Sequence, residues 1–136
     1  MSVVKELLRG EADGTISFGD YTLDAKKKLE GVKIGIDEYK VKTYNEITKL
    51  ERNGLFVYES VPGTAVNNFS ASADTVSFMV EGVNDAEITL EMEPECEYQV
   101  VVAQESTGVV KSNLGGKVSF AVELSGDLVD VEVKRI

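Results

Sequence analysis

A chain of 136 residues, 43% hydrophobic and with five Tyr and five Phe, has enough apolar material for one ordinary domain core. Its net charge of −10 disfavours nucleic acid and anionic membranes as partners, and no apolar run approaches the ~18 residues of a membrane span. The absence of His removes the usual general base, the common nucleophilic triads and most zinc and iron sites.

The N-terminus, Met1 to Arg9, lacks the long apolar core and small-residue cleavage site of a secretory leader. That leads to the expectation of a cytoplasmic chain, or of one exported or assembled without such a signal. Cys96 is the single cysteine, so no internal disulfide framework exists, and a reducing compartment fits. Glu95 and Glu97 beside it disfavour a thiolate. Charge is unevenly shared: residues 1–60 hold 10 basic against 11 acidic groups, a balance of −1, while residues 61–136 hold 4 against 13, a balance of −9.

In chain order, Val3, Val4, Leu7 and Leu8 fit a helical face as well as a strand, but Asp13-Gly14 is a hairpin turn and Thr15 to Phe18 alternates, so residues 3–23 are expected as mainly a hairpin. Lys26-Lys27-Lys28, flanked by Asp24 and Glu30, is expected as a solvated turn. Val32, Ile34 and Ile36, then Tyr39, Val41 and Thr43, describe a second hairpin turning between Gly35 and Glu38. Asn53-Gly54 suits a type I′ turn joining Ile47–Arg52 to Leu55–Glu59. In that register Leu50 faces Val57, and Ile47, Phe56 and Tyr58 share the opposite face. A hairpin apolar on both sides can cover the core with one face and meet a second subunit with the other.

Val61-Pro62-Gly63-Thr64 has the pattern of a type II turn, Pro setting φ and Gly supplying positive φ. It coincides with the change in charge density and suggests a soft boundary between N-terminal hairpins at 1–65 and a β-sandwich region at 66–136, or one continuous domain. Beyond it, short strands are expected at 75–81, 86–93, 97–103, 109–112, 117–124 and 128–134. Turn signals at Asn84-Asp85, Thr107-Gly108, Asn113 to Gly116 and Gly126-Asp127 separate them. The fold class implied is all-β, an antiparallel sandwich preceded by hairpins.

Met92, Pro94 and Tyr98 have the spacing of a tyrosine corner, in which a buried ring bonds its hydroxyl to the backbone just upstream. With the Lys111 to Phe120 hairpin, residues 66–136 resemble the fibronectin type III-like or immunoglobulin-like accessory sandwiches found beside catalytic domains of carbohydrate-active enzymes. That resemblance implies a non-catalytic module. Over nearly the whole chain, Asp13 to Tyr21, Tyr39 to Thr43, Thr48 to Glu51 and Tyr58 to Thr64 are similar to small proteins of anaerobic Firmicutes sometimes labelled endosialidase-like. The label implies sialic-acid hydrolysis or binding. Sialidases cluster three arginines with a Tyr nucleophile and use Asp boxes that contain Trp. This chain has no Trp, and its arginines are Arg9, Arg52 and Arg135.

Glu87, Glu91 and Glu93 alternate with Ile88, Leu90 and Met92, which places them on a solvated strand face rather than in a catalytic pair. Asp74, Asn84, Asp85 and Glu87 form the one calcium grouping to consider, although no regular acid-spaced loop is present. Tyr21, Tyr39, Tyr44 and Tyr58 are the aromatics available for a glycan platform. No cofactor is implied. The function expected is a non-catalytic interaction or structural protein that self-associates through its N-terminal hairpins, with Ile47, Phe56, Tyr58, Tyr39 and Tyr44 as the contact surface. A glycan-binding module is the alternative, and a small sialidase-like glycosidase comes third.

Overall fold

The computed structural model describes residues 2–72 and 74–136, and among these every regular element is a strand. The N-terminal part supplies β1 (Leu8–Gly10), β2 (Ile16–Phe18), β3 (Lys27–Ile34), β4 (Asp37–Thr43), β5 (Thr48–Arg52) and β6 (Leu55–Val61). After Pro62 follow β7 (Ala65–Ala71), β8 (Thr75–Glu81), β9 (Ala86–Glu91), β10 (Glu97–Val102), β11 (Glu105–Lys111), β12 (Lys117–Val122) and β13 (Val129–Arg135). All neighbours pair antiparallel. Sheet I has the order β1-β2-β7-β8-β13-β10-β11, and sheet II the order β12-β9-β6-β5-β4-β3. With β1 against β3 at one flank and β11 against β12 at the other, the two sheets form a sandwich-like pair.

Each sheet takes strands from both sides of residue 65, and one buried cluster runs from Leu8 to Val133. The charge change near Pro62 therefore marks a crossing from sheet II to sheet I, not a break between two bodies. Period-two alternation fills the interior: Val76, Phe78 and Val80 on β8, Ile88 and Leu90 on β9, Val118, Phe120 and Val122 on β12, all buried. Tyr58 sits edge-on to Phe18 at 5.2 Å and to Phe78 at 5.7 Å between centroids, joining the sheets through aromatic contacts.

Four local expectations are corrected. Thr107-Gly108 is not the β10–β11 turn; Ala103 and Gln104 turn there with φ of 52° and 68°, and Thr107 is the extra residue of a bulge opposite Val100 and Val101. Strand β7 was hidden in the sequence because a bulge between Asn67 and Ser70, with Asn68 at φ 56°, breaks its alternation. Lys27 and Lys28 lie within β3, not in a turn. At the crossover the Val61–Pro62 peptide is cis and Gly63 lacks the positive φ of a type II turn. Glycine is required there for another reason: a Cβ on Gly63 would collide with the Tyr44 carbonyl oxygen.

Two polar devices hold the sheet crossings. At the β9–β10 crossing, Met92 is half-buried, Pro94 is exposed and Tyr98 is fully buried, its hydroxyl accepting the Glu93 N–H at 2.9 Å. Ser112 Oγ donates to the Glu93 carbonyl at 2.6 Å and accepts the Cys96 N–H at 2.9 Å, clamping the same loop. At the β6–β7 crossing, five buried residues, Thr43, Thr48, Tyr58, Ser60 and Thr64, join their hydroxyls to one another and to the backbone. Thr48 Oγ1 accepts the Thr64 N–H at 3.1 Å, donates to the Thr64 carbonyl at 2.8 Å and lies 2.8 Å from Thr43 Oγ1, which in turn accepts the Asp20 N–H. Thr64 Oγ1 lies 2.8 Å from the Tyr58 hydroxyl and 2.7 Å from Ser60 Oγ. Replacing Thr64 by Val strands two buried hydroxyls and is expected to cost about 3 kcal/mol, against about 1 kcal/mol for Tyr98→Phe. Urea denaturation with unchanged m-value checks both, and equal costs would contradict this ranking of the two crossings.

Candidate functional site

The surface anticipated from the β5–β6 hairpin divides between the two faces of sheet II. Asn53 and Gly54 turn with φ of 53° and 79°, as a type I′ turn requires, and the register begins Arg52↔Leu55, Glu51↔Phe56. A bulge then makes Leu50 face Tyr58 instead of Val57. Tyr58 thereby turns inward and is fully buried; Tyr39, on the inner side of β4, is only 8% exposed. Neither can belong to a contact surface, and burial raises the Tyr58 hydroxyl well above its ordinary pKa. Phe56 remains half-buried on the outer face, beneath Lys117 Nζ at 4.7 Å from its ring centroid. Ile47 is half-buried, and Val61, one register position beyond Thr48↔Ser60, is 54% exposed. Tyr44 lies half-buried in the β4–β5 turn with its hydroxyl on Glu46 at 2.6 Å, a bond that raises its pKa.

What the hairpins do assemble is a row of lysines. On the outer face of sheet II, Lys28 on β3 is directly opposite Lys42 on β4, and Lys42 directly opposite Lys49 on β5. The row continues through Glu59 on β6 to Thr89 and Ser119. Lys40 lies one step along β4 opposite Glu51, whose carboxylate approaches Lys49 Nζ at 3.8 Å. These four lysines and Glu51 surround a small hollow of about 50 Å³. Like charges at directly opposed positions repel, so this row costs the sheet stability. Beyond it the same face turns acidic, with Glu59, Glu87 and Glu91 pointing outward on β6 and β9.

The alternation of Lys40 and Lys42 with Tyr39, Val41 and Thr43 carries part of this pattern in sequence. The remainder depends on cross-strand register, and Lys28 sits in a three-lysine run whose local pattern matches a solvated turn as well as a strand.

Other groupings do not converge. Arg9 on β1 ion-pairs with Glu6 and Glu11 at 3.2 and 3.1 Å. Arg135 is on β13, four strands away in sheet I or roughly 19 Å, and Arg52 is in the other sheet. The arginine cluster of a sialidase is thus not formed. Asp74 and Asp85 flank opposite ends of β8, and Asp85 accepts the Leu124 N–H; the described residues contain no acidic grouping suited to a metal. Of the four platform tyrosines, Tyr21, Tyr39 and Tyr58 are buried and Tyr44 is half-buried. Between the sheets at the β5–β6 turn lies a cleft of about 450 Å³ lined by Phe56, Val57, Phe69 and Val76 with Arg52 and Glu91 at its rim. On the outer face of sheet I, Glu81 is 3% exposed and accepts the Tyr21 hydroxyl at 2.6 Å and the Ser2 N–H at 3.1 Å.

No family model, curated protein or solved structure matches the chain.

Two outcomes follow from these groups. Removing the central lysine in Lys42→Gln relieves two like-charge contacts and is expected to stabilise dilute protein by about 0.5 kcal/mol at low salt, the gain fading as ionic strength rises; a salt-independent change in the urea midpoint would argue against charge repulsion. Burial, then the Glu81 carboxylate, push Tyr21 up to about 12. An unfolded tyrosine ionises near ~10. The native state therefore holds this proton more tightly, and its contribution is complete below about pH 10 and lost as pH rises toward about 12. Tyr21→Phe is expected to flatten that alkaline decline, read from urea midpoints across the interval.

Proposed function

We propose that this chain is a non-catalytic all-β interaction protein that self-associates through the outer face of sheet II built by its N-terminal hairpins. The observation that carries this reading is the Lys28–Lys42–Lys49 row: three cations in direct cross-strand register, in a molecule of net charge −10. A sheet that keeps repelling charges in register gives up stability, and an anionic surface seated on it returns that loss. The molecule is itself such a surface, since residues 61–136 carry most of its negative charge. Half-buried Ile47 and Phe56 and exposed Val61 lie on the same face and supply apolar contact beside the charges.

Sedimentation velocity tests this. The chain is expected to associate at about 100 µM in low salt and to dissociate progressively as NaCl rises toward about 0.5 M. Replacing Lys28, Lys42 and Lys49 together by Gln is expected to abolish association while leaving the fold, read by circular dichroism, intact. A monomer under all these conditions, or a triple variant that associates like the wild type, would count decisively against the proposal.

A further inference from the structure

The outer face of sheet II is complementary to itself, and we infer that it forms a two-fold symmetric dimer in which β5 of one copy lies over β6 of the other. This rests on the proposed self-association and specifies its geometry. Charge on the six strands is unevenly divided: Lys28, Lys40, Lys42 and Lys49 project from β3, β4 and β5, with Glu38 and Glu51 among them, whereas Glu59, Glu87 and Glu91 project from β6 and β9, with Lys117 on β12 beside Glu91. A two-fold axis lying in the plane of the face, parallel to the strands and midway between β5 and β6, exchanges those halves. It sets each strand on one side of the axis over its counterpart on the other, at unchanged height along the strands. Lys49 then meets the partner's Glu59, Lys40 meets the partner's Glu91, and Ile47 meets the partner's Val61. The two contacts nearest the axis, one ionic and one apolar, each occur twice, as isologous packing demands. Lys117 holds Glu91 at 3.2 Å, whereas Glu51 approaches Lys49 only at 3.8 Å, so the Lys49–Glu59 pair, nearest the axis, is the principal electrostatic contact.

The size of the face agrees. Six strands at their usual spacing, about six residues long, span roughly 29 by 20 Å, or roughly 1,200 Å² counted over both copies. That is the lower end for a specific dimer, so a micromolar association is expected. The groove of about 390 Å³ on the outer face of sheet I, edged by Asp130 and Glu132, offers a competing head-to-tail acceptor.

Charge reversal separates these arrangements. Lys49→Glu places two carboxylates opposite each other at each symmetric contact, and Glu59→Lys places two ammonium groups there. Each variant alone is expected to dissociate at least tenfold more readily than the wild type. An equimolar mixture is expected to recover a one-to-one dimer, because both contacts are then restored, and the double variant Lys49→Glu/Glu59→Lys is expected to dimerise with itself. If Lys49→Glu is monomeric but Glu59→Lys assembles normally and the mixture shows no recovery, the two-fold pairing is wrong while self-association through the lysine face survives. A wild type that stays monomeric overturns both. Should either variant fail to fold, Lys40→Glu and Glu91→Lys provide the same mixing test at the outer contact.

Discussion

The Thr64 main chain is the point on which the two sheets depend. Between β6 and β7 the polypeptide leaves sheet II for sheet I; Gly63 N–H reaches the Asn45 carbonyl at 3.0 Å, and the peptide groups of fully buried Thr64 need partners of their own. Thr48 supplies both bonds from one hydroxyl, accepting the Thr64 N–H and donating to its carbonyl. That use of the Thr48 proton orders the rest: Thr43 must donate to Thr48, and its remaining lone pair takes the Asp20 N–H. Gly19 is glycine for the same reason, since its φ is 98° and a side chain there would strike the Thr64 carbonyl. Three segments distant in sequence are thus pinned around one residue with no unpartnered buried side-chain atom among the described residues.

The aromatic packing leans on this arrangement. Tyr58 projects its ring among Phe18, Phe69 and Phe78 and its hydroxyl onto Thr64, so a single side chain spans the apolar core and the polar crossing. The bulge at Leu50 and Glu51 makes this possible by turning Tyr58 inward. The same bulge clears the outer face of a large aromatic and leaves it to Phe56 and the charged residues. Interior demand and surface character are therefore linked through one extra residue in β6.

Charge segregation on sheet II has a related origin. The alternating apolar positions of β4, β5, β9 and β12 face the core, so every second position is free to carry charge. On β3, β4 and β5 these positions hold Lys28, Lys40, Lys42 and Lys49 together with Glu38 and Glu51, and on β6 and β9 they hold Glu59, Glu87 and Glu91. Interleaving the two halves of the chain in one sheet sets these surfaces side by side. The pairing of β9 with β6 adds Glu87 and Glu91 to the acidic side that Glu59 begins within the N-terminal hairpin.

The sequence by itself determined the all-β class, the inward sets of β8, β9, β12 and β13, the Asn53-Gly54 turn and the Met92, Pro94 and Tyr98 corner. These are local properties, carried by period-two alternation, by backbone conformations few residues tolerate, and by fixed spacings within one loop. Tertiary structure decided the rest: strand β7, the burial of Tyr58 and Tyr39, the interleaving of both halves, the hydroxyl chain around Thr64 and the lysine row. Each depends on register or on contacts between segments far apart in sequence. A one-residue bulge exchanges inside for outside without changing composition. For that reason the face proposed for self-association is written in the pairing of strands, and only its separate lysines are written in the chain.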